Sequence, residues 1–213
     1  MCPATETENA TDVANITGVI LAGGRATRME GQDKGLITIG GRPMIKYVLD
    51  ALVPQVDQVI INANRNLDRY GELGYRVITD SNADYLGPLA GIASGLKATD
   101  KPYVAVVPCD ALLLSRDLVM RLGAALVDSE AQIAVAHDGK QLQPVYCLIS
   151  RTLLSDLQEF LDSGGRTAHQ WITRHPIEIV DFSDCPNNFL NINEPKDQAM
   201  IEERLADQNV NTE

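Results

Sequence analysis

From residue 16 onward, short runs of β-branched and apolar residues alternate with longer stretches whose apolar residues recur at helical spacing. This alternation constrains the fold more than any other feature, because strand followed by helix, repeated, favours a mostly parallel sheet covered on both faces. The spacing predicts strands at 16–21, 58–63, 75–79, 103–107, 133–136, 144–149 and 177–181. It predicts helices at 44–52, 88–98, 116–128, 151–163, 167–175 and 195–206, with Ser115 as an N-cap, Pro195 near a start and Gly164-Gly165 after a stop. Leu153, Leu154, Leu157, Phe160 and Leu161 share one helical face and are core candidates. The expected architecture is α/β: a three-layer, Rossmann-like, mostly parallel sheet with helices on both faces and late strands pairing antiparallel at an edge. Residues 16–206 read as a single domain, flanked by polar tails at 1–15 and 207–213.

Charge narrows the partners. The chain of 213 residues carries 18 basic against 29 acidic residues, a net charge of −11. That excludes a broad nucleic-acid surface, which needs clustered Lys and Arg. The balance is uneven, however: residues 16–50 hold five basic and three acidic residues, the one basic segment in an acidic chain. No apolar run approaches the roughly 20 residues of a membrane span. The polar, acidic start has no signal-peptide pattern, so no membrane association and a cytoplasmic location are expected. Cys2, Cys109, Cys147 and Cys185 are isolated from one another, which argues against a disulfide framework or a zinc site and for reduced thiols.

In open α/β sheets ligands bind beyond the carboxyl ends of the strands, so the loops there carry the functional candidates. The first expected strand runs into Ala22-Gly23-Gly24-Arg25-Ala26-Thr27-Arg28-Met29-Glu30-Gly31-Gln32-Asp33-Lys34-Gly35. Glycines let backbone N–H groups approach phosphate oxygens, and Arg28 and Lys34 can neutralise their charge. This is an anion cradle, but neither the GxxxxGK[ST] phosphate loop nor the GxGxxG dinucleotide fingerprint.

The pattern Leu21-Ala22-Gly23-Gly24-x-x-x-Arg28-Met29-x-Gly31-x-Asp33-Lys34 resembles the signature of nucleotidyltransferases that attach a nucleoside monophosphate to a phosphorylated acceptor. Within that group it is most similar to the molybdenum cofactor guanylyltransferases, which join GMP from GTP to molybdopterin. Three further segments carry the likeness: Asn62-Ala63-Asn64-Arg65, Asp80-Ser81-x-x-x-Asp84-Tyr85-x-Gly87-Pro88-Leu89-Ala90-Gly91, and Pro108-Cys109-Asp110. The resemblance spans residues 16–205. Glu30 departs from it, standing where the family usually has glycine, and so does Ala111-Leu112 after Asp110.

The resemblance implies a GTP site built from Leu21, Ala22, Gly23, Gly24, Lys34, Asn62, Asp80 and Asp110. It implies catalysis by Arg28, Lys34 and Asp110, with Asp110 holding Mg2+. For Asp110 the alternative is a turn or cap, and for Asp80 a simple turn residue, the reading its local sequence favours. A carboxylate at Asp80 would offer acceptors to the N1–H and N2–H2 donors of guanine, whereas the N3 acceptor of cytosine would be repelled. Gly87, Gly91, Asn191 and Asn193 are implied on the acceptor side. Asn193 reads equally as a helix cap, and Gly91 and Gly95 as close helix–sheet packing. GTP and Mo-bound molybdopterin are the implied substrates, with transient contacts to other cofactor-biosynthesis proteins and target molybdoenzymes. The rival readings are a molybdopterin cytidylyltransferase, a sugar-phosphate guanylyltransferase and a non-catalytic cofactor carrier. His137-Asp138-Gly139 reads as a hairpin turn, and neither His169 nor His175 has a partner at catalytic spacing.

Overall fold

A computed structural model describes residues 15–23, 33–80 and 87–190. In chain order its regular elements are β1 (Ile16–Leu21), β2 (Thr38–Ile39), β3 (Arg42–Pro43), α1 (Met44–Leu52), β4 (Gln58–Asn62), α2 (Leu67–Gly71), β5 (Arg76–Ile78) and α3 (Pro88–Ala98). They continue with β6 (Tyr103–Pro108), α4 (Leu118–Leu126), β7 (Ile133–His137), β8 (Leu142–Ser150), α5 (Leu154–Asp162), α6 (Ala168–Ile172) and β9 (Ile177–Asp181). One sheet has the order β5-β4-β1-β6-β8-β7-β9. The expected helix at 195–206 and both expected tails lie outside the described residues.

β1, β4, β5 and β6 pair in parallel, while β8 runs antiparallel to both β6 and β7. The expected antiparallel pairing is therefore present, but inside the sheet and not at its edge. Tyr146, Cys147, Leu148 and Ile149 of β8 are all fully buried, and four consecutive apolar residues of this kind need cover on both faces, which an interior strand receives. The edge beside β7 is taken by β9, parallel to it and partly exposed.

Successive strand residues face opposite sides of the sheet, and two cores result. Ile20, Ile61, Val107 and Leu148 pack with Ile45, Val48, Leu49 and Leu52 of α1 and with Leu118, Val119 and Leu122 of α4. Their neighbours Val19, Ile60, Val106 and Cys147 pack with Leu89, Ile92 and Leu96 of α3, and with Leu153, Leu157 and Trp171 from the α5–α6 side. Each such fully buried Leu or Ile contributes about 2 kcal/mol by removal from water. Leu154, Phe160 and Leu161 complete the α5 stripe as half-buried neighbours of that core.

Two local features were not expected from the sequence. A small hairpin, β2–β3, turns at Gly40-Gly41, whose φ values of +54° and +79° suit glycine, and places Ile39 against Met44 and Leu112. It thereby braces the segment that follows β6. The second is the start of α4. Ser115 is not its cap; the helix begins at Leu118, and Ser115 Oγ is bonded to the Asp117 carboxylate. The capping acceptor comes from afar: Gln55 Oε1 accepts from Val119 N (2.9 Å), while Gln55 Nε2 donates to Ala51 O (2.8 Å) and Ser115 O (2.9 Å). Gln55 is buried, so its removal strands a helix N–H and two carbonyls. Gln55→Ala is expected to lower stability by about 2 kcal/mol in urea unfolding, with steady-state kinetics unchanged.

The turn at His137-Asp138-Gly139 joins β7 to β8, with Asp138 Oδ1 accepting from the N–H groups of Lys140 and Gln141 (both 2.8 Å). Cys109, Cys147 and Cys185 are free thiols, in agreement with their spacing in the sequence. Among the described residues no helix is long and apolar enough to cross a membrane.

Candidate active site

The chain leaves β1 towards β4 and β5, then returns through α3 to β6 on the opposite side of β1. The carboxyl ends of β1 and β6 thus flank the switch in strand order, the place where open α/β sheets bind their ligands. The register sets four strand ends level: Leu21 stands opposite both Asn62 and Pro108, and Asn62 opposite Ile78. Two bonds carry the pairing beyond the strands, from Ala22 N to Asn62 O (2.7 Å) and from Cys109 N to Leu21 O (3.1 Å). Asp80, Asn62, Leu21-Ala22-Gly23 and Asp110 therefore follow one another across the end of the sheet. Three strand spacings of about 4.8 Å separate the first from the last, about 14 Å in all.

At the β6 end lies an ion pair. Lys34 Nζ is 2.5 Å from Asp110 Oδ2, and the Asp110 side chain is only 8% exposed against 26% for Lys34. Asp110 sits two residues past β6, where Ala111 N closes a turn onto Pro108 O (3.3 Å). Lys34 begins a 3-10 turn, Lys34–Leu36. The residue before it is anchored from α2: Asp33 Oδ1 accepts from the fully buried Tyr70 hydroxyl (2.5 Å) and Asp33 Oδ2 from Asn66 Nδ2 (3.1 Å). Burial, with the neighbouring Cys109 and the Asp33 carboxylate, pushes the Tyr70 phenol far above its ordinary range, so it stays a donor. Burial also pushes the Cys109 thiol up, keeping it neutral beside Asp110.

Below this pair, Tyr146 of β8 is fully buried, edge-on to Phe189 at 4.9 Å between ring centroids, and its hydroxyl has no partner among the described residues. Its pKa is raised first by burial and then by the neighbouring Asp110 carboxylate.

At the β5 end the Asp80 carboxylate is gripped on both oxygens. Asn62 Nδ2 donates to Oδ1 (2.8 Å) and Asn64 Nδ2 to Oδ2 (2.7 Å), while Asp80 N donates back to Asn64 Oδ1 (2.9 Å). A simple turn residue would need none of this. Gly91 explains how Asn62 fits: a Cβ there would lie 2.5 Å from Asn62 Oδ1 and 2.8 Å from Leu21 Cδ2. Gly91 is thus closely packed, a seat for Asn62 and Leu21, which leaves its acceptor-side role open alongside. Gly95 is likewise packed against Val19. Gly87 caps α3 with φ +76°, and α3 starts at the same end of the sheet.

Leu21, Ala22, Gly23, Lys34, Asn62, Asp80 and Asp110 are thus brought to one end of the sheet. Gly24, Arg28, Glu30, Asn191 and Asn193 lie outside the described residues. Two contributors were given no role by the sequence. Asn64 had a legible signal, since the i, i+2 spacing of Asn62 and Asn64 puts both on one side of an extended chain. Tyr70, 37 residues from Asp33, had none.

Asp110 is a hard oxygen donor, and among the described residues no group of three His, Cys, Asp or Glu side chains converges on a common point. Mg2+ is ordinarily held by one or two carboxylates together with phosphate oxygens of the substrate. The donor set fits that ion better than zinc, which favours thiolate and imidazole ligands.

The MobA-like NTP transferase domain model matches residues 18–179. The molybdenum cofactor guanylyltransferase of Shewanella loihica is 47% identical over 191 residues, covering 90% of this chain and 97% of that protein. The one from Shewanella halifaxensis is 45% identical over 195 residues, covering 92% and 98%. Among solved structures, molybdopterin-guanine dinucleotide biosynthesis protein A from Archaeoglobus fulgidus superposes with a TM-score of 0.74 at 18% identity, covering 90% of this chain and 99% of that one. The 4-diphosphocytidyl-2C-methyl-D-erythritol synthase of Anaerococcus prevotii reaches 0.72 at 15% identity, covering 92% and 98%. At those identities the structures speak for the fold alone, whereas the Shewanella sequences speak for the family. The chain belongs to the molybdenum cofactor guanylyltransferases, within the MobA-like NTP transferase family.

Proposed function

We propose that this chain transfers GMP from GTP to the terminal phosphate of molybdopterin, forming the guanine dinucleotide cofactor and releasing pyrophosphate. The observation that carries the reading is the succession across the strand ends: a doubly held carboxylate at Asp80, small residues at Ala22 and Gly23, then the Lys34–Asp110 pair. It suits a base at one end and phosphates at the other.

The attacking phosphate monoester is already anionic near neutral pH and needs no strong general base. The obstacle is repulsion between two polyanions, so positioning and charge neutralisation dominate the catalysis. Asp110 would hold Mg2+, which would offset phosphate charge and polarise the reacting phosphoryl group. Lys34 has three ammonium donors, so it can keep Asp110 and still donate to a phosphate oxygen. Arg28 and the N–H groups of the loop beginning at Gly23-Gly24 stabilise the leaving pyrophosphate. Leu21 and Asn62 line the base site with Asp80, and Gly87, Gly91, Asn191 and Asn193 are assigned to the acceptor side on the family resemblance. Gly91 also lets Asn62 and Leu21 take their places.

Asp80→Ala tests the base site. Initial rates with GTP, ATP and CTP are expected to lose at least tenfold in GTP preference, about 1.4 kcal/mol. An unchanged nucleotide profile would remove Asp80 from base recognition. A non-catalytic carrier has no use for a cation paired with a buried carboxylate at a phosphate loop. Pyrophosphate released only when GTP and molybdopterin are both present separates the enzyme from such a carrier.

A further inference from the structure

Asp80 has four lone-pair sites on two oxygens, and a carboxylate on a loop past an edge strand would ordinarily rotate among them. Here it cannot turn freely. Asn62 fixes one oxygen and Asn64 the other, and Asn64 also receives the Asp80 backbone N–H, so one amide closes a ring with both the side chain and the main chain of Asp80. The two asparagines differ in what else they touch. Asn62 is 2% exposed and wedged against Gly91, whereas Asn64 is half-buried and lies against Gly23. A Cβ on Gly23 would lie 2.7 Å from Asn64 Nδ2, and that nitrogen stands 3.5 Å from Gly23 O. Asn64 thus touches both Asp80 and Gly23, just past the end of β1.

We propose that Asn64 is a specificity-determining positioning residue, which orients the Asp80 carboxylate so that its free lone pairs face the N1–H and exocyclic N2–H2 of a guanine base. The inference rests on the proposed base-reading role of Asp80. With one acceptor site on each oxygen committed to a protein amide, each oxygen keeps a second for a ligand, two acceptors on one carboxylate. Two donors side by side are what guanine presents and what hypoxanthine, lacking the amine, presents only in part. A bidentate match of this kind depends on orientation, so loosening the carboxylate should reduce discrimination more than it reduces turnover.

The test compares kcat/KM for GTP and ITP, with Mg2+ and Mo-molybdopterin, in the full chain and in Asn64→Ala, Asn64→Asp, Asp80→Ala and the Asn64→Ala/Asp80→Ala double variant. Asn64→Asp keeps the acceptor for the Asp80 N–H, and so keeps the loop tether, but removes the donor and adds a like charge. The GTP/ITP ratio is expected to fall about tenfold in both Asn64 variants, mainly through a higher KM for GTP, and to fall no further in the double variant than in Asp80→Ala. Thermal unfolding of each variant confirms that it is folded. A ratio unchanged in Asn64→Ala, or retained in Asn64→Asp while Asn64→Ala loses it, means Asn64 only tethers the loop and overturns the inference. A further loss in the double variant means that Asn64 reads the base itself and also overturns it. An unchanged ratio in Asp80→Ala instead overturns the base-reading role on which the inference stands, and that result is separate from the others.

Discussion

Asp110→Ala is expected to lower Mg2+-dependent transfer at least about 10³-fold while the protein remains folded. The carboxylate is a buried acidic group at the switch in strand order, and its removal takes away the charge that pairs with the Lys34 ammonium at 2.5 Å. Lys34 is 26% exposed and can turn to water, so little stability is lost when its partner goes. The loss should therefore appear in turnover and in the Mg2+ titration, with a thermal midpoint close to that of the parent. Asp110→Asn sharpens the comparison. It keeps the volume and one acceptor oxygen but not the charge, so activity falling to a similar degree identifies the charge as what matters. Normal activity in either variant would contradict the assignment of Asp110 as the metal-holding residue.

Lys34→Met is expected to act on both function and stability. Methionine retains the apolar stem but removes the ammonium, leaving the Asp110 carboxylate buried without its partner at 2.5 Å. An uncompensated buried charge costs more than an exposed one, and a loss of about 2 kcal/mol in urea unfolding is expected. Turnover should fall about 10²- to 10³-fold, by analogy with the removal of one charge-stabilising donor, with a smaller change in KM for GTP. Lys34→Arg should rescue poorly, because a planar guanidinium cannot replace a compact ammonium wedged between carboxylate and phosphate. Combining Lys34→Met with Asp110→Asn should recover most of the lost stability and none of the activity. That non-additivity marks a pair whose structural and chemical roles are distinct.

Much of this arrangement is readable along the chain. β1, α1, α3 and β9 have the bounds their apolar spacing predicts, and the described candidate site residues lie at or just past the carboxyl ends of β1, β4, β5 and β6 or, for Lys34, beside Asp110. Local sequence misleads where the decisive partner is distant. Ser115 looks like the cap of α4, but Gln55, 64 residues before Val119, supplies the bond. Asp80 looks like a turn residue until Asn62 and Asn64 are seen holding it. β8 reads correctly as a strand, but no local signal says that it enters the interior of the sheet antiparallel; both-face burial decides that.

Net charge by segment is a coarse guide for the same reason. The segment 16–50 is basic, yet of its three described cations only Lys34 reaches Asp110 at the end of the sheet. Arg42 pairs with Asp50 at 2.6 Å and lies over the Tyr47 ring at 5.0 Å, on the β2–β3 hairpin and α1. Lys46 is exposed on α1. Among the described residues, one cation paired with one carboxylate is what the basic segment brings to the end of the sheet.

The most direct measurement is a nucleotide panel with Mg2+ and Mo-molybdopterin, following pyrophosphate and nucleotide-linked pterin in the same reaction. GTP is expected to give both products in equal amounts, with ATP and CTP giving little of either and no pyrophosphate released from GTP without the acceptor. Equal product from CTP, or pyrophosphate from GTP without nucleotide-linked pterin, would contradict guanylyl transfer to molybdopterin.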